Sequence, residues 1–181
     1  MMDDGLEIVG FSSIADRATL GPEIDAIFFA ASATQSFQSE AARAAFRERW
    51  LGRYLAAFPD CVFLARDRSG SIIGYVAGSL GDAAQDSRFA DISYFQDVAH
   101  LTRTYPAHLH INLAADARNR GIGGRLIEAF CNHAMDQDST GVHVVTAETS
   151  RNRTFYARQG FELRATLGHP GRGIVFLGKR F

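Results

Sequence analysis

The sequence predicts an α/β (α+β) fold, in which a mixed and mostly antiparallel sheet of six to seven strands has helices on both faces. Strand-like and helix-like apolar patterns follow one another in the order β-α-α-β-β-β-α-β-α-β-β. One of these strands leads through a glycine-rich turn into an amphipathic helix. The length of 181 residues, of which 46% are hydrophobic, suits a single domain with one core.

The first part of the chain predicts one strand and two helices. Leu6–Ser12 is rich in strand-forming residues, and Pro22 suits the first turn of the helix that follows. A longer helix is predicted over 40–57, because its apolar residues recur on one face, which indicates core packing. This apolar face consists of Phe46, Trp50, Leu51, Tyr54, Leu55 and Phe58.

A hairpin comes next, and an unusual stretch separates it from the central strand. The hairpin strands are predicted at Cys61–Ala65 and Ser71–Leu80, where Gly74 and Gly78 indicate a bulge or a close backbone approach. The stretch over 81–106 mixes acidic and aromatic residues.

We interpret that stretch as an insertion into a single domain that spans 1–181. It predicts a loop with a short helix over 91–101. Two roles fit its position equally well, because the insertion could close over a substrate or could only cover the edge of the sheet.

The last part of the chain predicts three strands and a short helix. A β-branched strand is expected over 142–148, followed by a helix over 150–159. Gly160 suits the left-handed C-terminal cap of that helix. Two further strands are expected over 161–167 and 173–180.

The central feature is the turn over 116–125, which lies between a strand and a helix. Leu109, Ile111 and Leu113 alternate along the strand. The apolar face of the helix consists of Ile122, Leu126, Ile127, Phe130, Cys131 and Ala134. Such a turn directs unpaired backbone N–H groups and the positive end of the helix dipole at one point, which suits an anion such as phosphate.

The side chains of the turn agree with this interpretation. Gly121, Gly123 and Gly124 can adopt positive φ and let a ligand approach the backbone. Positive charge comes from Arg118, Arg120 and Arg125. Neither the Gly-x-x-x-x-Gly-Lys-Ser/Thr phosphate loop nor the Gly-x-Gly-x-x-Gly dinucleotide fingerprint is present, so nucleotide sites of those two kinds are not predicted.

Composition narrows the functional classes further. The net charge of −1 gives no reason to expect nucleic acid or membrane surfaces as partners. There is no apolar run long enough for a membrane span, and the N-terminus has no signal-peptide pattern, so we expect a cytoplasmic protein. Cys61 and Cys131 lie in apolar patterns typical of buried free thiols. The six histidines show no metal-ligand spacing, and we expect no metal site.

Two sequence blocks resemble the GNAT superfamily of N-acetyltransferases. The first is Arg-x-x-Gly-x-Gly, which runs from Arg118 to Gly123, and the second is Phe155-Tyr156-Ala157-Arg158-Gln159-Gly160-Phe161. With the order of the elements, they imply the GNAT acyl-CoA N-acyltransferase fold over nearly the whole chain. Tyr105-Pro106-Ala107-His108-Leu109-His110-Ile111 also resembles the acetyltransferase-like C-terminal domain of O-GlcNAcase and its bacterial relatives.

The resemblance implies that acetyl-CoA lies in a V-shaped opening between the central strand and the strand at 142–148. The pantetheine arm and thioester would contact the backbone of Asn112, Leu113 and Ala114. The pyrophosphate would contact the backbone N–H groups of Arg118, Asn119, Arg120, Gly121, Ile122, Gly123 and Gly124. Arg118 and Arg125 would either add side-chain contacts or remain solvated cations.

The family position for a general acid holds Tyr156, whose hydroxyl would reach the CoA sulfur or would only pack beside Phe155. One departure is plain. Many family members contact the CoA arm through an asparagine at the position where this chain has Thr149. The resemblance therefore does not carry this contact over, and Asn152 is a weak substitute.

Neither sequence block assigns the general base. His108, His110 and Asn112 share one face of the central strand, and histidine has a suitable pKa for proton removal. The same residues could equally be structural groups with satisfied hydrogen bonds. Glu148 is a second candidate.

The leading hypothesis is an acetyl-CoA-dependent N-acetyltransferase that acetylates a primary amine of a small molecule or a protein. The alternative is a non-catalytic module that binds acetyl-CoA or a protein partner, because a carboxylate base is missing. The sequence does not identify the acceptor, and the protein is expected to be a monomer or a homodimer.

Overall fold

Residues 5–181 are described by a computed structural model, which contains one seven-stranded sheet. The strands are β1 (Glu7–Gly10), β2 (Val62–Arg66), β3 (Ile72–Ser79), β4 (Ala107–Leu113), β5 (Gly141–Ala147), β6 (Glu162–Leu167) and β7 (Ile174–Arg180). Their order in the sheet is β1-β2-β3-β4-β5-β7-β6. The β4–β5 pair is parallel, whereas β1–β2, β2–β3, β5–β7 and β6–β7 are antiparallel. The predicted mixed sheet is therefore confirmed.

Seven α-helices lie in the same described range. They are α1 (Gly21–Ala31), α2 (Glu40–Arg47), α3 (Arg53–Ala57), α4 (Tyr94–Asp97), α5 (Ala99–Thr102), α6 (Ile122–Asp136) and α7 (Asn152–Arg158). No helix among residues 5–181 has the length and apolar character needed to cross a bilayer. The first predicted strand is shorter than expected, because the chain turns into a 3₁₀ helix at Phe11–Ser13.

The helix predicted over 40–57 is not regular. A π-helical turn, Glu48–Gly52, separates α2 from α3, and the N–H of Arg53 donates to the carbonyl of Glu48, five residues back. A Cβ atom on Gly52 would lie 2.2 Å from Oε2 of Glu48, so the Glu48 carboxylate folds over this turn because Gly52 has no side chain. Apolar periodicity alone does not reveal such a turn.

The described residues up to Gly78, together with His110–Phe130, form one compact unit. Its buried core includes Ile24, Phe28, Leu51, Leu64, Val76, Leu126, Ile127 and Phe130. A Cβ atom on Gly74 would lie 2.3 Å from Cδ2 of Leu113 and 3.2 Å from the carbonyl oxygen of Asn112. The predicted close backbone approach at Gly74 is therefore confirmed.

Ser79–Leu109 and Cys131–Phe181 form the second compact unit. Tyr105 fills its centre, where a Cβ atom on Gly178 would lie 2.9 Å from the ring of Tyr105. The single short helix predicted over 91–101 is wrong, since two four-residue helices, α4 and α5, occupy this stretch. The helix is interrupted at Val98, whose φ of −110° and ψ of 17° lie outside the helical region.

One smaller prediction concerns the end of α7 in this unit. Gly160 has a φ of 85°, and Phe161 N–H donates to the carbonyl of Tyr156, as expected for a left-handed helix cap. The β4–β5 ladder has only two registered pairs, Ala107 with Val142 and His108 with His143.

Cys61 and Cys131, one in each unit, are free and buried, as predicted. A single domain over 1–181 with an insertion at about 81–106 stays a prediction.

Candidate active site

The chain leaves β4 through a turn with two left-handed residues. Ala114 N–H donates to the carbonyl of Ile73 at 2.9 Å, which anchors the start of the turn to β3. A 3₁₀ helix, Ala115–Ala117, follows. Asn119 with a φ of 60° and Gly121 with a φ of 78° then redirect the backbone into α6. Asparagine and glycine are the residues that adopt this conformation at least cost.

Six consecutive backbone N–H groups lie in the turn at the start of α6. In the part of the chain that the structure describes, the amides of Asn119–Gly124 have no hydrogen-bond acceptor. The first helical bond runs from Arg125 N–H to the carbonyl of Gly121, at 3.3 Å. Since the helix dipole adds partial positive charge here, the turn can hold a phosphate or diphosphate.

The glycines contribute differently from the prediction. Gly123 and Gly124 lie in the first turn of α6, so the expectation of positive φ at these two positions is wrong. Asn119 supplies the second left-handed residue instead. Gly123 is buried, and Ile122 beside it packs into the core. The missing side chain at Gly123 therefore keeps the backbone of the first helical turn bare.

The three arginines of the turn are exposed and extend in different directions. The guanidinium of Arg118 donates to the carbonyl of Leu113 at 3.4 Å, and that of Arg125 donates to the carbonyl of Leu6 at 3.1 Å. Arg120 lines a small cavity together with Leu6 and Asp67. The predicted contribution of these arginines to a phosphate site stays a prediction.

Two polar side chains on β4 are hydrogen-bonded to tyrosines. Nε2 of His110 lies 3.1 Å from Oη of Tyr54, and Nδ2 of Asn112 donates to Oη of Tyr75 at 2.7 Å. Tyr54 and Tyr75 are almost completely buried, and burial raises the pKa of Tyr75. Tyr75 therefore keeps its proton at neutral pH and acts as a neutral hydrogen-bonding group.

His110 itself is enclosed by aromatic rings. The ring centroids of Trp50 and Tyr54 lie 5.5 and 5.2 Å from that of His110, both in edge-on geometry. Burial, assisted by the positive charge of Arg53, lowers the pKa of His110 to about 4. Its imidazole is therefore neutral at physiological pH and is a weak base, which argues against the predicted role of general base.

Sequence reasoning did not identify Tyr54 and Tyr75 as the hydrogen-bond partners of these two β4 side chains. Tyr54 was assigned to core packing because it lies on the apolar face of the predicted helix. The available signal was the hydroxyl group, since a buried tyrosine usually finds a hydrogen-bond partner. The partner itself is 56 residues away for Tyr54 and 37 residues away for Tyr75.

His108 lies in an aromatic environment within the second unit. It is 3% exposed, and the ring centroids of Phe89, Phe95 and His143 lie 4.9, 5.3 and 5.6 Å from its own. His143 in turn bonds the carbonyl of Tyr105 at 2.6 Å. This enclosure favours a packing role for His108, and its role as a general base stays a prediction.

Tyr156 lies in α7 and is 6% exposed. The rings of Phe155 and Phe161 pack against it at 5.3 and 5.7 Å. Burial raises the pKa of Tyr156, so its phenol is protonated at neutral pH and can donate a proton or a hydrogen bond. Both of the alternatives stated for this residue, proton donor and packing aromatic, are compatible with this environment.

The remaining candidates lie at the start of α7. Oε2 of Glu148 accepts from Gly171 N–H at 2.7 Å, and its carbonyl accepts from Arg153 at 2.9 Å. Glu148 thus fastens the loop between β6 and β7, which accounts for the residue without a role as a base. Thr149 and Asn152 are both exposed. Residues 5–181 contain no group of three histidine, cysteine, aspartate or glutamate side chains placed to hold a metal ion.

A family model decides the assignment. The model described as "Acetyltransferase (GNAT) domain" matches residues 59–163, which is more than half of the chain. The chain belongs to the GNAT acetyltransferase family. The matched region contains the turn with the six bare amides and α7 with Tyr156. This GNAT protein is accordingly an N-acetyltransferase. A comparison with curated protein sequences finds no match.

Solved structures share the GNAT fold of this acetyltransferase. The protein named SsHAT is 20% identical, with a TM-score of 0.72, over 97% of this chain and 98% of that one. A GCN5-related N-acetyltransferase from Kribbella flavida is 16% identical, with a TM-score of 0.66, over 98% of both chains. The yncA protein of Salmonella typhimurium, solved with its cofactor acetyl-CoA, is 17% identical with a TM-score of 0.56, over 97% of this chain and 94% of that one. The GNAT fold predicted from the sequence is confirmed.

Proposed function

We propose that this acetyltransferase transfers the acetyl group of acetyl-CoA to a primary amine of a small molecule or a protein. The observation that carries the proposal is the row of bare amides at Asn119–Gly124 beside a helix N-terminus. A diphosphate needs several hydrogen-bond donors and positive potential at one place, and this turn offers both. The family assignment and the acetyl-CoA bound to the yncA neighbour support the same co-substrate.

We assign the parts of acetyl-CoA to different segments of the chain. The amides from Arg118 to Gly124 would hold the diphosphate, with Arg118 and Arg125 as nearby cations. The backbone of Asn112, Leu113 and Ala114 would hold the pantetheine arm, and the exposed Asn152 would add at most a peripheral contact. The side chain of Asn112 is already committed to Tyr75, so its backbone is the available part.

The reaction is a direct attack of the amine nitrogen on the thioester carbonyl, in which the C–N bond forms and the C–S bond breaks. The protonated phenol of Tyr156 would donate a proton to the departing thiolate. The amine must first lose a proton, because an alkylammonium has a pKa of about 10.4. With His110 held neutral by burial and Glu148 bonded to Gly171, solvent rather than a side-chain base is the proposed proton acceptor.

The experiment that tests this function replaces Gly123 with aspartate. Gly123 is buried in the first turn of α6, so circular dichroism first establishes that the variant is folded, and the charge of the aspartate should then repel a diphosphate. Gly123→Asn is the matched control, because asparagine adds the same bulk without the charge. We expect calorimetry to show at least about tenfold weaker acetyl-CoA binding for Gly123→Asp than for Gly123→Asn.

Equal affinities in the two folded variants would overturn the diphosphate assignment. Release of free CoA thiol on a panel of amines then tests transfer itself. Binding without turnover on any amine would favour the non-catalytic acetyl-CoA-binding module over the enzyme. A cytoplasmic location, a monomeric or homodimeric state and the likeness to the O-GlcNAcase domain stay predictions of the sequence.

A further inference from the structure

A second cavity of the first unit lies where the end of α1 meets the start of α2. It is an open depression of about 380 Å³, and its polar lining residues Gln35, Ser39, Glu40 and Arg43 are exposed. The side chains that line it include Phe29, Gln35, Phe37, Ser39, Glu40 and Arg43. None of these residues belongs to β4 or to the turn that precedes α6. The diphosphate assignment therefore leaves this cavity unexplained.

Arg43 is held in place at this cavity by an aromatic ring. Its guanidinium carbon lies 3.6 Å from the ring centroid of Phe29, which is close cation–π stacking. Within the described residues the guanidinium makes no hydrogen bond and no ion pair. Its N–H donors therefore remain available while the side chain is already ordered, which lowers the entropy cost of binding an anion.

The surroundings of Arg43 indicate the rest of the ligand. Phe37 packs edge-on against Phe29 at 6.0 Å and also contacts Phe46 at 5.3 Å, so one wall of the cavity is aromatic. Ser39 caps α2 by accepting from Ala42 N–H, which places the positive end of this helix near the cavity. The wall favours an apolar body, and the positive end favours an anion.

Two other polar side chains line the cavity. Nε2 of Gln35 donates to the carbonyls of Phe29 and Ser32, so it closes the end of α1. Glu40 is the acidic group of the lining and repels an anion. Glu40 therefore opposes the attraction of Arg43 for an anion, and replacing Glu40 is a control with the opposite expected effect.

The cavity is connected to β4 by a single helical segment. Arg43 and Trp50 are seven residues apart, which is about 10 Å along a helix, and Trp50 contacts His110 on β4. A ligand anchored at Arg43 thus lies within the length of a small molecule from the end of the segment that packs on β4.

We propose that this cavity holds the carboxylate of the acceptor, and that the acceptor is a small primary amine with a carboxylate on an apolar body. The proposal rests on the proposed acetyl transfer. Arg43 binds the carboxylate through its N–H groups, and Phe29 and Phe37 contact the apolar body. Arg43 is a specificity residue here and takes no part in the chemical step.

The test uses a matched pair of acceptors, 4-(aminomethyl)benzoate and 4-(aminomethyl)benzamide, which differ only in the carboxylate. The full chain should show a KM for the benzoate at least about tenfold lower than for the benzamide. Arg43→Gln, which keeps helix propensity, should remove this preference and leave the KM for acetyl-CoA unchanged. Glu40→Gln should strengthen the preference for the benzoate.

A binding measurement separates this proposal from the proposed function. Calorimetry with 4-methylbenzoate, which has no amine, should show binding to the parent chain that Arg43→Gln weakens roughly tenfold. Equal KM values for the two acceptors in the parent chain, or an unchanged preference in Arg43→Gln, would overturn the proposal. If acetyl-CoA binds and 4-methylbenzoate binds through Arg43 but no amine is acetylated, the carboxylate site stands and the acceptor role is overturned together with the transfer.

Discussion

The phenol oxygen of Tyr54 lies 3.1 Å from Nε2 of His110, so a hydrogen bond between two aromatic side chains joins α3 to β4. Tyr54 has no exposed surface, and His110 is half-buried beside Trp50. The pair is thus a structural connection between the helical segment and the strand that leads into the diphosphate turn.

Replacing Tyr54 with phenylalanine should lower the free energy of unfolding by about 1 to 2 kcal/mol, because a buried hydrogen bond is lost while the packing is kept. Chemical denaturation measures this change. In the double variant Tyr54→Phe/His110→Leu the loss should be smaller than the sum of the single losses, since the two residues are in contact. Strict additivity would show that the bond does not contribute.

His110 should make stability fall as the pH falls. Its pKa is lowered from 6.5 to about 4 in the folded chain, so between these values the unfolded chain binds more protons. The stabilisation is complete above about pH 7 and is lost as the pH falls towards 4, which amounts to about 3 kcal/mol in total.

The variant His110→Gln is the matched comparison for this pH dependence. Between pH 7.5 and 4.5 the parent chain should lose about 2 to 3 kcal/mol more than His110→Gln in urea denaturation. Parallel losses in the two proteins would contradict a neutral, buried His110.

Gly121→Ala tests the left-handed turn before α6. A Cβ atom there meets no atom within 4 Å, so the expected loss of about 1 kcal/mol comes from the φ of 78° alone. Gly81→Ala is the control, because Gly81 is equally open and does not have a positive φ. Thermal denaturation should show Gly81→Ala as neutral or stabilising, and equal effects at both positions would refute the argument from backbone strain.

Gly74→Ala tests the close approach of β3 to the end of β4. The added Cβ atom would lie 2.3 Å from Cδ2 of Leu113 and 3.2 Å from the carbonyl oxygen of Asn112, so the Leu113 side chain must move aside and the Asn112 carbonyl must shift slightly, at a cost of about 1 to 3 kcal/mol. Combining it with Leu113→Ala removes the clashing carbon. The double variant should be at least about 1 kcal/mol more stable than the sum of the single losses predicts. If the double variant is no more stable than that sum predicts, the contact with the Asn112 carbonyl oxygen causes the loss of stability.

Tyr156→Phe tests the proposed proton donor. We expect kcat to fall by about 100-fold or more, with a much smaller change in the KM for acetyl-CoA, because the phenol acts on the leaving thiolate. Because burial raises the pKa of Tyr156, the parent chain should not lose activity through this residue up to about pH 9. Tyr94→Phe, at a half-buried tyrosine of the same unit, should leave kcat unchanged, and an equal fall in both variants would indicate a packing effect.

The position of the turn before α6 could be predicted from the sequence because its pattern is local, whereas its diphosphate-binding role stays a proposal. A strand, glycines and a helix start occupy neighbouring positions, and the arginines lie among them. The detail was less accessible, since the left-handed conformation fell on Asn119 and Gly121 rather than on Gly123 and Gly124. Asparagine and glycine both adopt this conformation, and only the path of the chain decides between them.

The neighbours of the β4 side chains could not be predicted from local patterns. Tyr54, which bonds His110, and Tyr75, which bonds Asn112, come from distant elements, and the charge state of His110 follows from burial that only the folded chain creates. The carboxylate cavity at Arg43 was equally hidden, because a cation–π contact with Phe29 has no sequence signature.

The π-helical turn at Glu48–Gly52 holds one more residue than a regular α-helical turn, since Arg53 N–H bonds the carbonyl five residues back. Deleting one residue from this turn would restore regular α-helical spacing and leave the later side chains of the segment on the same face. Tyr54 would then still face His110. In this part of the protein a one-residue deletion is therefore expected to be less damaging than the same deletion in a regular helix.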